Sequence, residues 1–190
     1  MYTSYLELQS NFKPNVWTKR FIIAAIVQGA IAIALTSFLV LSQISILKPE
    51  VSMVIASGSA GTWFLFGYIM YIAVGVIGVG VSSLFYHYLE EVMHRSYSGV
   101  IPRIMAWSHL MLMNIGILVT CGLLMYGGYS AGASMLPISV GGKEFDEGQA
   151  HEILAPIVEP IGLAILIVCA GVLLGGIGFI VVYGRVEHVH

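Results

Sequence analysis

Charge is almost absent from four long stretches of this 190-residue chain. Its eight basic and ten acidic side chains sit in narrow strips around residues 21–47, 51–89, 104–142 and 160–184, none of which contains an Asp, Glu, Lys or Arg. A bilayer hydrocarbon core about 30 Å thick takes roughly 20 apolar residues in a helix, and each run is at least that long. A composition 58% hydrophobic and only 9% charged, with a mean hydropathy of +0.91, points away from a water-soluble domain. The sequence predicts an all-α integral membrane four-helix bundle, a single transmembrane domain over 1–190 with spans near 21–41, 63–88, 104–126 and 161–183 and an outer loop at 127–160.

Basic residues set the expected orientation, because Lys and Arg concentrate in cytoplasmic segments next to membrane helices. Lys13, Lys19, Arg20, Arg95, Arg103 and Arg185 fall on one side of a four-span topology, and Lys48 and Lys143 on the other. Both termini are therefore expected to be cytoplasmic, in the cytoplasmic (plasma) membrane of a prokaryote. The outer loop then presents Glu144, Asp146, Glu147, Glu152 and Glu159. The first twenty residues hold Glu7, Lys13, Lys19 and Arg20 and lack the charged, apolar and small-residue sections of a cleaved leader, so the N-terminus is expected to be retained. Residues 1–18, with Tyr5, Phe12 and Trp17, suit either the headgroup region or loose chain. A net charge of −2 without a basic cluster argues against a nucleic-acid partner. The expected partners are the lipid bilayer and other membrane subunits.

Trp63 on one side and Tyr86 and Tyr88 on the other read as interface markers for the second span. Pro102 and Pro160 read as first-turn residues of the third and fourth spans. Glycines at 67, 75, 78 and 80, and again at 171, 175, 176 and 178, predict close helix packing.

His109 is the residue with the clearest chemical potential. It lies about five residues inside the third span, roughly 8 Å deep, where an ionisable group is costly and usually functional. Met105, His109 and Met113 are spaced by four and share one helical face. Imidazole and thioether together suit copper(I), and the same pair can ligate haem iron; the competing reading is a neutral histidine with methionines filling the packing. A second group, His87, Glu91 and His94, follows i, i+4 and i+7 if the second helix continues, and offers imidazole and carboxylate to a metal. Glu91 and His94 match one Glu-x-x-His element of a di-iron bundle, but the second element is missing, and the reading favoured over a metal site is solvated interfacial side chains. His87 and His109 lie on consecutive helices at one side of the membrane and are candidates to face each other. Asn114 is placed to hydrogen-bond across helices. Cys121 and Cys169 are isolated within spans and form no redox motif.

The run Trp107-Ser108-His109-Leu110-Met111-Leu112-Met113-Asn114-Ile115-Gly116, followed by Gly127-Gly128-Tyr129, resembles helices of the haem-copper oxidase and nitric oxide reductase superfamily. The likeness covers the second and third spans. It implies that His109 matches a haem or copper ligand best, with His87 behind it. The chain lacks the remaining helices and histidines of that superfamily's catalytic subunit, so what the resemblance implies is a small oxidase-like or oxidase-associated subunit.

The leading expectation is thus a membrane subunit of a respiratory or oxidative complex, electron-handling or non-catalytic rather than an enzyme alone, with haem b or copper held through His109. The alternatives are a cofactor-free structural or assembly subunit of an oxidase or membrane monooxygenase, and a small transporter or channel, for which a polar pathway would be needed.

Overall fold

The computed structural model describes residues 16–46 and 48–184, and all regular structure among them is helical. Helix α1 covers Val16–Leu41 and ends in a π-helical turn, Ser42–Ile46. A short helix α2, Val51–Ala56, precedes α3, Gly61–Val92. Helix α4 is Val100–Met135 and α5 is Glu147–Tyr183. Helices α1, α3, α4 and α5 are each long and apolar enough to cross a membrane. Lys13, Arg185, His188, His190 and the expected headgroup segment up to residue 15 lie outside the described residues.

Helix α4 is the centre of the bundle. Its buried positions, Pro102, Ala106, His109, Met113, Gly116, Ile117, Thr120, Cys121, Leu124, Gly127, Gly128 and Ala131 among them, recur at steps of mostly three and four and keep a continuous stripe in contact with its neighbours. Glycines on both sides let the backbones close in. A Cβ added at Gly128 would collide with the Phe64 backbone nitrogen of α3 and lie 2.9 Å from Phe64 Cα, and one at Gly171 would lie 2.9 Å from the backbone nitrogen of Met113.

Helix α3 is not uniform. Tyr71–Gly78 and Tyr88–Val92 are wound as π-helix, with α-helical segments around them. Its buried face runs Phe64, Gly67, Tyr71, Gly75, Val79, Ser82, Tyr86, Leu89. Two successive steps of four, from Tyr71 to Gly75 to Val79, fall in the π-helical stretch; wider turns keep on one face a pattern that a 3.6-residue period would let drift.

Helix α1 docks by a narrow stripe in which Trp17, Thr18, Phe21 and Gln28 are buried. Polar attachments hold it, one of them a 2.8 Å hydrogen bond shared by the Thr36 and Tyr68 hydroxyls. Glu90 of α3 accepts from the backbone nitrogens of Trp17 (3.1 Å) and Thr18 (2.9 Å) and from the Thr18 hydroxyl (2.8 Å). That carboxylate satisfies amides that the first helical turn leaves open and meets the positive end of the helix dipole. Farther along, Gln28 Nε2 donates to Asn114 Oδ1 of α4 at 2.8 Å, and the Tyr71 hydroxyl donates to Gln28 Oε1.

The last two helices run beyond the expected spans. Residues 127–135 continue α4 and residues 147–160 already belong to α5, so the connection is 136–146 rather than the whole of 127–160. Gly127, Gly128 and Gly132 look like loop residues in sequence, but each takes the place of a side chain that would collide with a neighbouring helix. Pro160 does not start α5. Asp146 does, with its carboxylate accepting from the Gln149 backbone nitrogen (2.8 Å) while the Gln149 side chain accepts from the Asp146 nitrogen (3.1 Å), and Pro156 and Pro160 lie within the helix. Pro102 does fall in the first turn of α4, as expected.

Candidate functional site

Spacing by four puts Met105, His109 and Met113 on one face of α4, and that face meets the glycine face of α5. Gly178 lies opposite Met105, Gly175 opposite His109, and Gly171 opposite the backbone of Met113. At Gly175 a Cβ would stand 2.5 Å from His109 Cγ and 2.6 Å from Cε1, so only glycine admits the imidazole there. His109 is 7% exposed.

Aromatic rings enclose the imidazole on its other sides. Phe21 of α1 lies 4.9 Å away between ring centres and stacks on Tyr86 of α3 at 4.4 Å with an 18° tilt. The Tyr86 hydroxyl and His109 Nδ1 are 3.2 Å apart and share a hydrogen bond. Among the described residues this is the one hydrogen-bond partner of His109, and it orients the ring so that its other edge is left for a further partner. Tyr97, in the connection between α3 and α4, packs on Tyr86 at 4.9 Å, and burial pushes its phenol well above the usual range.

Beside this cluster lies a partly open cavity of about 480 Å³ between α3 and α5. Gly78, Ser82, Phe85, Tyr86, His109 and Gly176 contribute to its lining, which is overwhelmingly apolar. Its size falls in the range of small-molecule and cofactor sites, and a few polar groups in an apolar wall are typical of them.

The candidate metal ligands do not converge. Met113 is turned toward α3, where its Sδ takes a weak 3.8 Å hydrogen bond from Ser82 Oγ and its Cε lies against Gly78. Met105 covers Gly178, one helical turn on the other side of His109. His87 is exposed, and it is its neighbour Tyr86 that reaches His109. Glu91 is half-buried in the π-helical last turn of α3, and His94 lies beyond the helix end at φ 51°, exposed. The helix thus stops short of the expected His87, Glu91 and His94 face. Among the described residues no group of three His, Cys, Asp or Glu is placed to hold a metal ion.

Asn114 acts across helices as its depth suggested, bonded to Gln28 and donating to Leu110 O at 2.7 Å. Cys121 is buried, Cys169 is exposed, and both are free. Sequence reasoning placed Tyr86 at the membrane boundary and missed its pairing with His109. The signal available was its place in the three-and-four spacing from Tyr71 through Gly75, Val79 and Ser82.

No protein-family model, curated protein or solved structure gives a significant match to this chain.

Proposed function

We propose that the chain is an integral membrane protein of four spans, with both ends cytoplasmic in a prokaryotic plasma membrane, serving as an electron-handling subunit of a respiratory or oxidative complex. The observation that carries this reading is the buried His109, fixed through Nδ1 by Tyr86 beside an apolar cavity of about 480 Å³. A histidine whose one nitrogen is oriented by a hydrogen bond while the other remains available is the arrangement a metal-bound imidazole requires. Copper held by Met105, His109 and Met113 together does not fit, because the two thioethers point to different neighbours. Haem b bound through His109 alone is supported by the apolar wall and the single available ring edge, and the open side of the cavity would be closed by another subunit. When bound, such a group supplies one-electron transfer. The chain's own residues orient the imidazole and exclude water.

The cofactor-free alternative, a structural or assembly subunit, is favoured by the fit of the Met105, His109 and Met113 face against Gly178, Gly175 and Gly171. One experiment separates the two readings. The protein is purified in mild detergent, its reduced-minus-oxidised visible spectrum and metal content are measured, and His109→Ala and Tyr86→Phe are compared. A haem band lost in His109→Ala and shifted in Tyr86→Phe supports the first reading; a folded, colourless and metal-free protein overturns it. A transporter is the weaker idea, since the deepest amides, Gln28 and Asn114, are bonded to each other.

A further inference from the structure

At the end of the bundle where α1 and α4 begin and α3 ends, a polar pocket of about 370 Å³ is lined by Arg20, Arg103, Glu90, Ser96, Trp17 and Trp107 together with a few neighbours. The Arg20 guanidinium carbon lies 4.6 Å from the centre of the Trp17 ring and 4.5 Å from that of Trp107, so two indoles fix the cation in place. Ring contacts of this kind leave the in-plane N–H donors of an arginine free for a planar or tetrahedral anion. Arg103 is exposed at the same pocket.

Glu90 lines the same pocket and offsets one of its two cationic charges, which leaves the site net positive. Both oxygens of Glu90 accept from the start of α1, at Trp17 and Thr18. Its charge is matched there to the positive helix end. Neither Arg20 nor Arg103 has an acidic partner among the described residues. The pocket therefore combines two guanidinium groups, a serine hydroxyl and two indoles at the end of long apolar helices. Indoles prefer the headgroup level of a bilayer, and arginine pairs are suited to phosphate oxygens.

We infer that this pocket binds the phosphate of an anionic phospholipid headgroup, with Arg20 and Arg103 as its cationic ligands. The inference rests on the membrane reading above and is independent of any cofactor at His109. Because free phosphate shares the same chemistry, the test needs both sources. The full chain is reconstituted into phosphatidylcholine vesicles, which tests insertion by flotation. It is then returned to detergent, and binding of phosphatidylglycerol, phosphatidylcholine and inorganic phosphate is measured by native mass spectrometry and thermal shift for the wild type, Arg103→Gln and Arg20→Gln/Arg103→Gln. Failure to float with the vesicles overturns the membrane reading and this inference with it. In a protein that floats, the expected result is selective retention of phosphatidylglycerol, weakened roughly fivefold for each arginine removed, the scale of one basic side chain at an anionic surface. Equal retention of the two lipids, or unchanged binding in the double variant, overturns the site. Protection by inorganic phosphate matching that by phosphatidylglycerol overturns the lipid as its source. Arg103 is exposed, so its single variant tests the site without disturbing the core.

Discussion

Gly175→Ala tests the contact on which the His109 site depends. The added methyl would sit 2.5 Å from His109 Cγ and 2.6 Å from Cε1, whereas ordinary contact begins at 3.4 Å, so a retreat of nearly 1 Å is required. Phe21 at 4.9 Å and Tyr86 bonded to Nδ1 block the imidazole on those sides, and a shift toward the cavity breaks its bond to Tyr86. Relief must come from separating α4 and α5 or rotating the ring away from Tyr86. Overpacking of this kind costs roughly 1–3 kcal/mol. Alanine also gains about 0.8–1.0 kcal/mol over glycine within a helix, which masks part of the loss. Gly176→Ala supplies the matched control, because its Cβ would meet nothing within 4 Å. Both variants share the propensity gain, so Gly175→Ala should be less stable than Gly176→Ala by about 1–3 kcal/mol. Reversible unfolding in mixed micelles, followed by tryptophan fluorescence, measures that gap. Equal stability of the two variants would refute the close approach of α4 and α5 at His109.

Asn114→Leu should lower stability by about 0.6–1.7 kcal/mol through the lost bond to Gln28, and a Gln28→Leu/Asn114→Leu double variant should be more stable than the two single losses added together. Strict additivity in the same unfolding assay would mean that the two amides do not interact. Burial raises the Tyr97 pKa above its unfolded value of about 10, so its stabilising contribution is complete below that pH and is lost as pH rises beyond it. Melting temperatures followed upward from about pH 8 should therefore fall less steeply in Tyr97→Phe than in the wild type; parallel curves would remove Tyr97 as the cause.

The four helices were legible because uncharged runs of that length leave few other folds open. What remained hidden was mostly which residues face one another. His109 was conspicuous by depth, but its partner Tyr86 carries an aromatic label that also fits a membrane boundary, and the π-helical turns of α3 alter the simple count of faces. The His87, Glu91 and His94 spacing assumed an unbroken helix that ends before His94. The C-terminal end of α4 and the N-terminal end of α5 are not plainly legible in the sequence, because glycine and proline there read as breaks. The Asp146 and Gln149 pair, a sequence-visible helix start, was the better guide. The stripe at Gly171, Gly175 and Gly178 was recognised as a packing face, whereas its pairing with the Met105, His109 and Met113 face depends on helix register, which composition does not encode.

The bond between Gln28 and Asn114 joins residues 86 positions apart, and that separation sets an order of events during synthesis. At about 5–20 residues per second, roughly 4 to 17 s pass between the making of Gln28 and the making of Asn114. Throughout that interval α1 carries an amide whose eventual acceptor does not yet exist, and its Glu90 anchor is also still to come for most of the time. A newly made α1 must therefore wait in a provisional environment, with water, lipid headgroups or the insertion machinery serving its amide, until α4 arrives. Of the four long helices described, the one made earliest is among the last to find its place in the bundle.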